Sequence, residues 1–128
     1  MKKLFFILML LFLYNCKAQN NCSIKMSYVN LDILTPIDVN CDNFEVLFHS
    51  KIKTCVITKK ETIDSIVFAL KTLKIDTTNT VPDVRVKITI DSLKNTNVYC
   101  LSKMGVIHEN ISYIPSDTLI EIIKKQMK

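Results

Sequence analysis

Cys100 and His108 are the residues whose types and spacing come nearest to covalent chemistry. A thiol beside an imidazole can form the activated nucleophile of a hydrolase or transferase. A three-residue hairpin loop at Lys103-Met104-Gly105, with Gly105 in the left-handed position, would set Ser102 opposite Val106 and Cys100 opposite His108. Their side chains would then lie about 5 Å apart. A loop one residue shorter or longer breaks this pairing, and no residue is evident to orient the imidazole. Structural roles are the ordinary expectation for both, so no catalytic residue is assigned, and a small Cys/His-dependent enzyme stands as an alternative only.

Cys100 also has a competing use. Beyond Cys16 there are four cysteines, Cys22, Cys41, Cys55 and Cys100. An even number allows up to two disulfides, whose connectivity the sequence leaves open. In the alternative, Cys55 and Cys100, both in strand-like runs, are buried free thiols. Asp38-Val39-Asn40-Cys41-Asp42 carries the opening D-x-N-x-D of a calcium loop, but Asn43 stands where the loop needs Gly and His49 where it needs a bidentate Glu. Asx residues in a loop usually bond the local backbone, and no metal or cofactor is expected. Asp64-Ser65-Ile66, Asp76-Thr77-Thr78, Asp91-Ser92-Leu93 and Asp117-Thr118-Leu119 each resemble the O-glycosylation signal of some Gram-negative envelope proteins, Asp then Ser/Thr then a mostly aliphatic residue. Thr77 and Ser92, in expected loops, are the candidate acceptors. There is no G-x-S-x-G elbow, P-loop, H-E-x-x-H or C-x-x-C, and one Gly in 128 residues leaves little for a phosphate-cradling loop.

The N-terminus speaks to destination. Lys2 and Lys3 precede an apolar run from Leu4 to Tyr14, which is shorter than the roughly 20 residues that span a bilayer. Residues 1–15 thus read as a secretory signal peptide, and no later stretch is long enough to span. Leu13-Tyr14-Asn15-Cys16 resembles the lipobox of bacterial lipoproteins, although Tyr14 and Asn15 are bulkier than is usual there. The resemblance implies lipidation of Cys16 and a membrane anchor in the cell envelope, facing the periplasm or the cell surface. Cleavage after Ala18 would instead release a soluble periplasmic or secreted protein beginning at Gln19.

The elements that would position these residues follow from periodicity. Residues 16–26 read as a short polar tether and 27–128 as one domain. Strands are expected over 28–34, 44–49, 52–57, 84–91, 97–101, 106–108 and 111–114. Thr58 and Glu61 suggest a capping box opening a helix over about 59–74, whose stripe is Ile63, Ile66, Val67, Leu70 and Leu73. Ser116 should cap a second helix over 117–126, with Lys124 and Lys125 complementing its C-terminal dipole. This order argues an α+β fold: a mainly antiparallel sheet of five to seven short strands with two helices packed on one face.

The 17 Lys and Arg against 12 Asp and Glu give a formal charge of +5, and Arg85 is the only Arg. The lysines are spread along the chain, with none of the basic stripe or stacking aromatics that nucleic-acid binding wants. The expectation is a small exported cell-envelope protein acting as a non-catalytic binding or assembly module for an envelope protein partner. A periplasmic inhibitor or immunity protein is the alternative, with segments 35–43 and 76–82 as its contact loops.

Overall fold

The computed structural model describes residues 22–128; the leader and Cys16 lie outside the described residues. The elements run β1 (Ser23–Tyr28), α1 (Phe44–Phe48), a 3-10 turn (His49–Lys51), β2 (Lys53–Ile57), α2 (Lys60–Lys71) and β3 (Lys74–Ile75). They continue with β4 (Val86–Asp91), β5 (Thr96–Leu101), β6 (Val106–His108), β7 (Ile111–Ile114) and α3 (Asp117–Gln126). The strands form one antiparallel sheet in the order β2-β1-β4-β5-β6-β7-β3. The fold is α+β. No described helix is long and apolar enough to cross a membrane.

Alternation along each strand divides the molecule into two cores. On the front face, Ile24 and Met26 of β1 and Val86 and Ile88 of β4 meet Ile63, Ile66 and Leu70 of α2 and Leu119 and Ile123 of α3. On the back face, Val84, Cys100, Val98 and Ile107 meet Val29, Val39, Phe44 and Phe48, which belong to the long excursion between β1 and β2. Full burial of one such side chain stabilises by roughly 1.5–3 kcal/mol, so both faces contribute.

Several elements depart from the expectations. The supposed tether contributes residues 23–26 to β1, because Ile24, Met26 and Tyr28 share the buried face while Lys25 and Ser27 do not. The chain leaves the sheet after Val29, whose amide still donates to the Arg85 carbonyl, and turns at Asn30–Ile33. The run Phe44–Phe48 is a helix rather than a strand. Phe44 and Phe48 satisfy both a period of two and an i, i+4 spacing, and Val46, which a strand would bury with them, is 77% exposed.

Helix α2 begins one residue late for a capping box. Lys59 is its N-cap, with no side-chain capping bond, and Glu61 forms only an exposed ion pair with Lys59. The helix stops at Lys71 because the Thr72 hydroxyl donates to the Phe68 carbonyl and residues 74–75 pair with β7. In α3 the expected cap forms: Ser116 Oγ accepts from the Leu119 amide at 3.2 Å.

The β5–β6 hairpin closes through a bond from the Ser102 amide to the Gly105 carbonyl, so its loop is Lys103-Met104, one residue shorter than expected. Gly105 does not adopt positive φ. A Cβ there would sit 3.0 Å from Pro82 Cβ, so the glycine is required by close approach. Left-handed residues occur instead at Glu109 and Asn110, the two-residue turn between β6 and β7.

Candidate binding face

Residues 29–52 cover the back of the sheet largely as irregular chain with one short helix and a 3-10 turn, and they are fastened to it at several points. Cys41 is joined to Cys100 of β5, with Cα atoms 5.7 Å apart. Val39 donates its amide to Asp83 Oδ1 at 2.8 Å and accepts from the Val84 amide at 2.7 Å. Arg85, only 4% exposed, donates from Nε to the Ile33 carbonyl and from Nη1 to the Val84 carbonyl. Its Nη2 reaches Thr35 Oγ1 and Asp83 Oδ2, and its guanidinium lies 5.4 Å from the Phe48 ring centroid.

Burial pushes the Asp83 carboxyl up, but the hydrogen bonds from Arg85 and the Val39 amide, with the Arg85 charge, outweigh it and hold the group below its ordinary range. The carboxylate is therefore the ionised partner that keeps a buried guanidinium satisfied. Asn40 completes the frame locally: its Oδ1 accepts from the Asp42 and Asn43 amides, both at 2.9 Å, and its own amide donates to Asn43 Oδ1. The D-x-N-x-D run is thus built as Asx turns. No group of three potential ligands for a metal occurs among the described residues.

Between this fastened loop and the β5–β6 strands lies a cleft of about 660 Å³. Val81, Pro82, Val84, Val98 and Ile107 supply its apolar lining, and Asn40, Asp42, Lys87, Thr96 and Glu109 are among its polar borders. Lys87 Nζ donates to Glu45 Oε1 at 3.2 Å, linking the sheet to α1 across one side.

The expected Cys100–His108 pairing does not form. The shorter hairpin loop puts Cys100 opposite Ile107, and a one-residue slip turns a side chain to the other face. Cys100 is wholly buried and bonded to Cys41. His108 stacks on Tyr99, with ring centroids 4.0 Å apart and planes 13° from parallel. Its Nδ1 lies 2.8 Å from the Val98 carbonyl oxygen. A carbonyl only accepts, so Nδ1 carries a proton, and Nε2 lies 3.9 Å from Glu109 Oε1.

The remaining sequence candidates are dispersed. Cys22 and Cys55 are free, half-buried thiols. Cys55 pairs with Met26, four residues along the chain from Cys22, which corresponds to about 13 Å at roughly 3.3 Å per strand residue. That separation is too great for a bridge, so the second disulfide considered from the sequence does not form within this fold. Burial pushes the Cys55 thiol pKa up. Asp38 and Asp42 are exposed on the fastened loop, and Thr77 and Ser92 are exposed in turns far from it in sequence. The Ser92 hydroxyl donates to Asn95.

Arg85 and Asp83 were not singled out by sequence patterning. Val84-Arg85-Val86 alternates as a strand should, which places Arg85 on the wet face; the signal available was that a lone Arg follows Asp83 in a lysine-rich chain. Comparison of the chain with protein families, characterised proteins and solved structures yields no match.

Proposed function

We propose that the chain is a small exported cell-envelope protein, tethered through a lipidated Cys16, that works as a non-catalytic binding or assembly module with the fastened back face as its docking surface. The carrying observation is the cleft of about 660 Å³, lined by apolar and polar side chains in comparable measure and framed by the Cys41–Cys100 disulfide and the Arg85–Asp83 pair. Binding sites commonly combine those features. The Cys41–Cys100 disulfide supports an oxidising compartment, as the leader does. Thr77 and Ser92, both exposed, are the proposed O-glycan acceptors.

A second reading, an inhibitor of a periplasmic protein, is favoured by one feature of the same loop: it exposes Leu34 (95%) and Ile37 (55%) while Arg85 and the disulfide hold it in place. Apolar side chains on a pre-ordered loop bind without a large ordering cost.

A photoreactive phenylalanine analogue at Val81, at Leu34, or at Lys60 on α2 tests these readings in a Gram-negative host. The expected result is one envelope protein crosslinked from Val81 and none from Lys60. A crosslink confined to Leu34 would favour the inhibitor, and equal labelling from Lys60 would remove the back face as the docking surface. The intact mass of the mature chain reports on the tether: acyl chains on Cys16 are expected, and a start at Gln19 would refute lipidation.

A further inference from the structure

Lysines that are scattered in sequence converge on a second cleft, of about 710 Å³, at the end of the sheet where β1 passes into the excursion. Lys51 comes from the end of the 3-10 turn, Lys53 from the start of β2, Lys103 from the β5–β6 hairpin, Lys124 from the last turn of α3 and Lys128 from just beyond it. Between residues 22 and 128 the chain has 14 Lys and Arg against 12 Asp and Glu. Five of the former and one of the latter, Asp32, border this cleft, leaving nine against eleven everywhere else. The net positive charge of the described domain is therefore concentrated here.

Lys103 Nζ donates to Asp32 Oδ1. That bond, the charge of Lys103 and the charge of Lys124 hold the Asp32 carboxyl below its ordinary range, so one carboxylate already experiences the field of the cleft. Leu31, Ile33, Ile52 and Met127 provide an apolar floor. No residue is shared with the back-face cleft, so the two surfaces are independent.

We propose that this cleft binds an acidic segment of a protein partner, with carboxylates paired to the lysines and an interspersed apolar side chain on the floor. A free phosphate would use the charge and leave the floor unfilled. A flat bilayer would not reach into a concavity. Nucleic acid would call for exposed Arg or stacking aromatics, whereas Arg85 is buried elsewhere and the Tyr28 ring is itself buried.

Fluorescence anisotropy of a fluorescein-labelled peptide, Glu-Leu-Glu-Glu-Leu-Glu, titrated with the mature chain at low salt tests the proposal. Saturable binding is expected, weakened at least tenfold in Lys51→Glu/Lys124→Glu and within twofold of wild type in Lys59→Glu/Lys60→Glu, which makes the same charge change on another surface. Replacing both peptide leucines with serine should weaken binding at least threefold. If the glutamates disturb the fold, Lys51→Gln/Lys124→Gln is expected to weaken binding at least threefold. Absence of saturable binding, equal loss in both charge-reversal variants, or tighter binding to phosphatidylglycerol vesicles or oligothymidylate than to the peptide would overturn it.

Discussion

Arg85 Nη2 lies 2.7 Å from Asp83 Oδ2, and the two residues grip different parts of the same excursion. Arg85 takes the Ile33 carbonyl and Thr35 hydroxyl, and Asp83 takes the Val39 amide. Each partner is satisfied twice over, by the other and by the loop. The ion pair thus converts a loop without regular structure into a surface of fixed shape.

Removing one member should uncover this dependence. In Arg85→Ala the Ile33 carbonyl and the Asp83 carboxylate lose their donor and the Phe48 ring loses its cover. Stability should fall by about 1–3 kcal/mol, the usual cost of leaving a buried acceptor unsatisfied, because Asp83 is 44% exposed and water can take the place of the guanidinium there. Urea unfolding measures this, and a loss under 1 kcal/mol would mean that the loop is held without Arg85.

Acid should loosen the same frame. The folded-state pKa of Asp83 is depressed, so its contribution is fully present above the unfolded value of about 3.9 and is lost as pH falls through the lower folded value. Asp83→Asn should lower stability at pH 7 and show less further loss than wild type between about pH 4 and pH 2. Parallel stability curves for the two proteins over that range would contradict the assignment.

Reduction should act on the excursion from its other end. Cys41 and Cys100 are separated by 59 residues, and closing a loop of that size is worth about 4 kcal/mol in the chain-entropy model. Alkylation under denaturing, non-reducing conditions should block Cys22 and Cys55 and spare Cys41 and Cys100; reduction should add two further blocks, any free Cys16 thiol being counted apart. Blocking at Cys41 before reduction would rule out the bridge.

What the sequence made legible was whatever repeats locally. The stripe Ile63, Ile66, Leu70 and the Ser116 cap are signals within one or two turns, and both are realised in α2 and α3. Patterns that satisfy two periods at once are ambiguous: Phe44 and Phe48 fit strand and helix alike, and the partners they pack against, Val84, Cys100 and Arg85, are remote in the chain. The Cys100–His108 pairing failed on one residue of loop length, at a hairpin whose Gly105 lies close against Pro82. The lysine cleft had no local signature, since Lys51, Lys103 and Lys124 meet only after the sheet and α3 are assembled.

Gly105 offers the most direct test of that last constraint. Its φ is not positive, so alanine is allowed by the backbone, and the obstacle is the Pro82 ring, with Cβ atoms forced to 3.0 Å. Gly105→Ala should therefore cost about 1–3 kcal/mol, as overpacking does, and the penalty should shrink in Pro82→Gly, where the opposing atom is gone. The pair should couple by more than about 0.5 kcal/mol in a double-mutant cycle. Since Pro82 lines the back-face cleft, the displaced ring should also alter crosslinking from Val81 while leaving acidic-peptide binding at the lysine cleft unchanged. Additive stability effects would show that Gly105 is required for some reason other than contact with Pro82.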